Sequence, residues 1–97
     1  MGILDSLASY NKRWEEAYRE HFSESELSSI DEIEVVASQY GTSARVSTGN
    51  TNSFIPMHKD NPIIPVGTKL DKSLCCIVHL VRGEQTTMKL LYEGTIE

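Results

Sequence analysis

The chain has 97 residues, of which 39% are hydrophobic and 24% are charged. This length gives room for one domain with a modest core, and it is too short for a doubly wound nucleotide-binding domain or a (β/α)8 barrel. We therefore expect residues 1–97 to form a single domain. The sequence contains no apolar run of the ~20 residues that a membrane-spanning helix needs. Its first residues also lack the basic and apolar regions of a secretory signal, so we predict no contact with a membrane.

The net charge of −5 comes from 14 acidic and 9 basic residues that are unevenly distributed. Residues 15–34 contain eight acidic residues and one basic residue, whereas the chain from residue 35 onward is nearly balanced. In one interpretation, the acidic residues of this segment lie on a polar face that is exposed to solvent. Alternatively, residues 15–34 form an acidic surface that inhibits a basic protein, such as a host defence protein.

The N-terminal part of the sequence has the periodicity of an amphipathic helix. Apolar residues recur at steps of three and four over residues 3–22, without glycine or proline after the start, and charged residues fill the opposite face. The apolar positions are Ile3, Leu7, Tyr10, Trp14, Ala17, Tyr18 and Phe22. We predict a helix over residues 3–22, followed by a second short helical turn over residues 25–29.

From residue 33 the hydrophobic period changes to two, which is typical of strands. We predict strands over residues 33–40, 43–48, 53–57, 74–81 and 86–92. Residues 58–67 contain two prolines and are predicted to be a long connection, followed by a brief extended piece at residues 68–70. Glycine-containing turns at Gly49 and Gly83 favour hairpins. The predicted fold class is α+β: an N-terminal amphipathic helix plus a small five-stranded antiparallel barrel of OB or SH3-like kind, or an open sheet covered by the helix.

Three segments of this β module carry a resemblance to known proteins. They are VVASQYGTSA at residues 35–44, FIPM at residues 54–57 and PVGT at residues 65–68. In these segments the chain is similar to small uncharacterised OB-like β-barrel proteins of bacteriophages and mobile elements. The similarity covers residues 33–92. It implies a phage or mobile-element origin and contact with single-stranded nucleic acid.

Two groups of aromatic residues are candidate contact surfaces. Tyr10, Trp14 and Tyr18 form a stripe on the predicted helix, and aromatic side chains are favoured anchors for a protein partner or a second copy of the chain. The second group combines aromatic and basic side chains of the strands, as single-stranded nucleic acid requires. Its members are Tyr40, Arg45, Phe54 and Lys89. Because the net charge is negative, we expect such nucleic-acid binding to be weak.

The two cysteines, Cys75 and Cys76, are neighbours on a predicted strand. They point to opposite faces and cannot easily form a disulfide with each other. A chain of this size without a disulfide framework is typical of a reducing compartment, so we predict the cytoplasm of a bacterial cell or phage-infected host. Cys75 and His79 share a face but lie roughly 13 Å apart on a strand, too far for one metal ion. The sequence therefore predicts no metal site and no cofactor.

Catalytic motifs are not recognisable in the sequence. His58 and Asp60 could supply a general base, but no nucleophile with a matching partner can be identified. We therefore predict a non-enzymatic binding or assembly module of phage or bacterial origin, which contacts a protein partner or itself. A single-stranded nucleic-acid-binding protein and an acidic inhibitor are the alternatives.

Overall fold

The computed structural model describes residues 14–39 and 41–95. Two antiparallel sheets and one short helix make up this part of the chain. The elements are β1 (Glu15–His21), α1 (Glu24–Ser29), β2 (Glu32–Ser38), β3 (Gly41–Thr48), β4 (Thr51–Pro56), β5 (Lys69–Leu70), β6 (Cys75–Arg82) and β7 (Gln85–Tyr92), with a 3-10 turn at Lys72–Leu74 before β6. None of the described helices is long and apolar enough to cross a membrane.

The strands form one sheet in the order β1-β6-β7 and another in the order β4-β3-β2-β5. The sheets meet at one corner, where Met57 makes an isolated parallel bridge to Leu90 and the backbone N–H of His58 donates to the Leu90 carbonyl at 2.9 Å. In the described part of the chain no hydrogen bonds join β1 to β5, so the strands do not close into a barrel. The predicted barrel of OB or SH3-like kind is therefore wrong, and the described residues form seven strands in two sheets where five strands were predicted.

The predicted helix over residues 3–22 is wrong at residues 15–21, which form β1, and residues 3–13 lie outside the described residues. β1 pairs with β6, and the register shifts between Glu16 and Tyr18, which leaves Ala17 as a β-bulge. A bulge adds one residue and reverses the alternation of faces. As a result, Trp14 and Tyr18 lie on opposite faces of the sheet, although their spacing of four residues is typical of one helix face.

The short helix α1 confirms the predicted turn over residues 25–29 and begins with a capping box. The Ser23 hydroxyl accepts from the backbone N–H of Glu26 at 3.2 Å, and the Glu26 carboxylate accepts from the backbone N–H of Ser23 at 3.0 Å. These bonds satisfy N–H groups that a helix start leaves free, and they lower the pKa of Glu26. At the other end, the Lys72 ammonium donates to the carbonyls of Leu27 and Ile30. The helix is thereby fixed to the turn that precedes β6.

The strands from β2 to β7 agree closely with the sequence prediction. The β3–β4 and β6–β7 hairpins turn at Gly49 and Gly83, whose φ angles of 58° and 63° favour glycine. β5 occupies the predicted extended piece and pairs with β2. The hydrogen-bonded register thus fixes which side chains share a face in each sheet.

The main hydrophobic core lies between the two sheets. Its buried members come from both sheets, from the end of α1 and from the connection between β4 and β5. They are Ile30, Ile33, Val35, Ala44, Val46, Ile64, Leu70, Cys75, Ile77 and Leu90. A second cluster lies on the opposite face of the three-stranded sheet, where Trp14 packs against Cys76, Val78, Leu80 and Leu91.

The connection between β4 and β5 is held in place by Asn61. Its side-chain amide donates to the Leu90 carbonyl at 2.8 Å, and its side-chain oxygen accepts from the backbone N–H of Tyr92 at 2.8 Å. Both bonds go to β7, so a single side chain ties the connection to the edge of that strand. Ile64 adds a buried apolar contact to the main core.

Candidate functional site

An exposed aromatic pair lies where β1 meets β6. Tyr18 is the cross-strand partner of His79, and their rings stack with centroids 4.1 Å apart and planes inclined by 12°. Tyr18 is nevertheless 56% exposed. The His79 Nε2 atom lies 3.2 Å from a carboxylate oxygen of Glu20, so the imidazole has a second contact with β1. His79 therefore covers one face of the Tyr18 ring and holds it in place, while the other face is open to solvent.

Two further apolar side chains extend this pair into a larger surface. Met88 is the partner of His79 on β7 and is 52% exposed, and Phe54 of β4 is 63% exposed. His79, Met88 and Phe54 line one cleft of about 410 Å³ between β4 and β7. We call Tyr18, Phe54, His79 and Met88 the aromatic surface. Large apolar side chains grouped in this way on a small domain are typical of interaction sites.

The residues of the predicted helical stripe do not lie together. Trp14 is half-buried against the second cluster, and the Arg82 guanidinium lies 4.8 Å from its ring centroid as a cation–π contact. Tyr18 lies on the other face of the sheet, and Tyr10 lies outside the described residues. Of the three predicted contact residues, the structure places Tyr18 in the aromatic surface.

The residues predicted for nucleic-acid binding are also divided. Phe54 and Arg45 are cross-strand partners on β4 and β3, as stacking beside a cation would require. However, the Arg45 guanidinium donates to Glu34 at 2.6 Å and to Glu32 at 3.0 Å, which compensates its charge. Lys89 lies in the other sheet, and Tyr40 lies outside the described residues.

The acidic residues of the segment 15–34 do not form one free face. Glu32 and Glu34 contact Arg45, and Glu32 also lies 3.1 Å from the Lys69 ammonium. Elsewhere in the segment, Glu16 pairs with Arg19, Glu26 caps α1, and the Asp31 carboxylate accepts from the backbone N–H of Gly49. Many of these carboxylates therefore take part in local contacts, and fewer of them are free to form an extended acidic surface.

His58 and Asp60, the candidates for general base chemistry, form a tight turn. His58 is buried, and its Nδ1 atom accepts from the backbone N–H of Asp60 at 3.0 Å. The Asp60 carboxylate lies 3.7 Å from the same Nδ1 atom and is mostly exposed. Because Nδ1 serves as the acceptor for the backbone, this histidine stabilises the turn.

The two cysteines are free thiols on opposite faces of β6, as predicted. Burial raises the pKa of Cys75 from its ordinary value of 9.0 to about 12. Burial, together with the nearby Glu93 carboxylate, raises the pKa of Cys76 to about 11. Both thiols therefore stay protonated at neutral pH and are poor nucleophiles there.

These pKa shifts predict that alkaline conditions destabilise the fold. An unfolded thiol ionises near 9.0, whereas the folded protein resists ionisation, so stability is retained below that pH and lost as pH rises toward about 12. Urea unfolding at neutral pH and near pH 10 should show that the free energy of unfolding decreases more for the wild type than for Cys75→Ala. An equal decrease in the free energy of unfolding in the two proteins would contradict the raised pKa of Cys75.

One group of described side chains has the composition of a metal site. Atoms of His21, Cys76 and Glu93 that can ligate a metal lie within 4.8 Å of one another. Sequence reasoning missed this group because it placed His21 on a helix.

Comparison of the chain with protein-family models, curated proteins and solved structures found no match.

Proposed function

We propose that the protein is a non-enzymatic binding or assembly module that holds a protein partner on the aromatic surface. The observation that carries this proposal is the Tyr18–His79 stack, which stands beside the exposed Phe54 and Met88 around one cleft. Tyrosine supplies a large contact area with few rotatable bonds and is enriched among residues that dominate binding energy. A pre-stacked ring loses little further freedom when a partner binds.

The charge of the chain favours a different protein over a second copy. Two copies would each carry a net charge of −5 and would repel each other. The carboxylate that contacts His79 belongs to Glu20, whose side chain is 60% exposed. A partner that combines an apolar anchor with a neighbouring lysine or arginine would complement both features.

The setting that we propose for this activity is the cytoplasm of a bacterial cell or a phage-infected host. The two free thiols are compatible with a reducing compartment. We favour protein over single-stranded nucleic acid because Arg45 is already paired with two carboxylates. Phosphate binding would have to compete with both of them.

Selection from a displayed random-peptide library on the immobilised protein tests the proposal. We expect enriched peptides that carry an aromatic or aliphatic anchor beside a basic residue. Tyr18→Ala and Met88→Ala should each weaken binding of a selected fluorescent peptide by more than about tenfold, measured by fluorescence anisotropy. The matched control is Ile63→Ala, because Ile63 is 97% exposed and lines a different cleft from Phe54, His79 and Met88.

Two results would overturn this proposal. The first is peptide binding that Ile63→Ala abolishes and the two aromatic-surface variants leave unchanged. The second is a dimer in sedimentation velocity that Met88→Glu dissociates, because it would show that a second copy occupies the surface.

A further inference from the structure

A histidine, a cysteine and a glutamate meet at one end of the three-stranded sheet. His21 on β1 and Cys76 on β6 are cross-strand partners, and Cys76 in turn pairs with Leu91 on β7. Glu93 follows two residues after Leu91, and its backbone N–H continues the pairing by donating to the Leu74 carbonyl. Since alternate residues share a face, all three side chains project from the same side of the sheet.

The three side chains are close enough to share one ion. Their potential ligand atoms all lie within 4.8 Å of one another, and the His21 Nε2 atom lies 2.7 Å from a Glu93 carboxylate oxygen. Metal–ligand bonds of 2.0–2.3 Å in a tetrahedral site separate ligand atoms by roughly 3.5 Å. The required adjustment is small, and it falls on His21 and Glu93, whose side chains are 62% and 38% exposed.

Burial and charge at this place suit a cation. Cys76 is fully buried, so its sulfur would form the floor of the site while the other two ligands face solvent. Arg19 lies nearby, but its guanidinium forms an ion pair with Glu16 at 2.7 Å. The Glu93 carboxylate already contacts the His21 imidazole and supplies an oxygen donor beside it.

We propose that His21, Cys76 and Glu93 bind one divalent transition-metal ion of the Zn²⁺ class. Imidazole nitrogen, thiolate sulfur and carboxylate oxygen are the donors that this ion prefers, whereas Mg²⁺ and Ca²⁺ prefer oxygen ligands alone. On binding, the Cys76 S–H bond breaks, its proton passes to solvent, and the sulfur electron pair forms the bond to the ion. No electron transfer is involved, and water occupies the fourth position.

Such an ion would join three segments that are distant in sequence. It would connect the edge strand β1 to β6 and to the residue after β7, on the face opposite to the aromatic surface. Because binding to the folded protein stabilises it by mass action, Zn²⁺ should raise the thermal unfolding midpoint. The proposal is independent of the partner-binding function, and each can fail without the other.

Titration of the untagged, chelator-treated protein with Co²⁺ tests the site, with a non-thiol reductant present. We expect one cobalt ion per chain, with thiolate-to-cobalt charge-transfer absorption that Zn²⁺ displaces. Cys76→Ala should abolish this absorption. His21→Gln and Glu93→Gln should each weaken the affinity by at least about tenfold, since loss of an outer-shell partner alone costs that much.

The matched control is Cys75→Ala, which removes the neighbouring thiol from the opposite face of β6. This variant should keep both the charge-transfer absorption and the rise in thermal midpoint with Zn²⁺. Circular dichroism of each variant establishes that it is folded. The proposal is overturned if excess Co²⁺ produces no charge-transfer absorption in the wild type. It is also overturned if the His21→Gln and Glu93→Gln variants are folded and bind Co²⁺ as tightly as the wild type.

Discussion

Replacing Ile33 by alanine should lower the free energy of unfolding by about 2–5 kcal/mol. Ile33 is fully buried between the sheets, where it pairs with Val46 on one side and Leu70 on the other. Its removal leaves a cavity at the point where β2 connects β3 to the short strand β5. Domains of this size are stable by about 5–15 kcal/mol, so the loss is a large fraction of the total.

The same substitution at Ile63 provides the control. Ile63 is 97% exposed in the connection between β4 and β5, so Ile63→Ala should change the free energy of unfolding by less than about 0.5 kcal/mol. Urea unfolding of both variants, followed by circular dichroism, measures the difference. Similar values for the two variants would show that the core does not lie between these sheets.

Replacing Asn61 by alanine should lower the free energy of unfolding by about 1–3 kcal/mol. The substitution removes both hydrogen bonds that tie the connection after β4 to β7, and it leaves the Tyr92 backbone N–H without its partner. The Leu90 carbonyl keeps the bond from His58, so the cost falls mainly on Tyr92. The loss should appear both in urea unfolding and in faster hydrogen exchange of the Tyr92 amide.

Asn52→Ala is the matched control for this prediction. Asn52 is exposed in β4, and its side-chain oxygen accepts one bond from the Ser47 hydroxyl at 2.9 Å. Loss of an exposed bond of this kind should cost well below 1 kcal/mol, because water replaces it. If Asn61→Ala were no more damaging than Asn52→Ala, the connection would not depend on its contacts with β7.

The strands from β2 to β7 could be predicted because their signals are local. The period of two, the glycines at the turns and the prolines of the connection each act over a few residues. The positions of Gly49 and Gly83 at positive φ follow directly from these signals. How the strands divide into two sheets could not be predicted, because it depends on long-range pairing and on which edges stay open.

The error at residues 15–21 has a specific physical cause. The spacing from Trp14 to Tyr18 satisfies a helical period, whereas in the strand the bulge at Ala17 places these two side chains on opposite faces. Pairing with the apolar strand β6 overrides helix propensity, which is a weak preference compared with tertiary contacts. A local pattern cannot reveal that partner, because β6 lies far along the chain.

The candidate sites follow from that pairing, and this explains why the sequence did not reveal them. Tyr18 reaches His79 only in the observed register of β1 on β6. The same register places His21 beside Cys76, and His21 and Glu93 meet although 72 residues separate them. The resemblance to phage OB-like proteins and the assignment of Tyr40 to nucleic-acid binding stay predictions.

The pairing of β1 with β6 is therefore the central claim, and nuclear Overhauser contacts in the labelled protein test it most directly. We expect contacts between the ring protons of Tyr18 and His79, and between the side chains of His21 and Cys76. Contacts between residues three and four apart within residues 15–21, without these cross-strand contacts, would indicate a helix. That result would contradict both the aromatic surface and the proposed metal site.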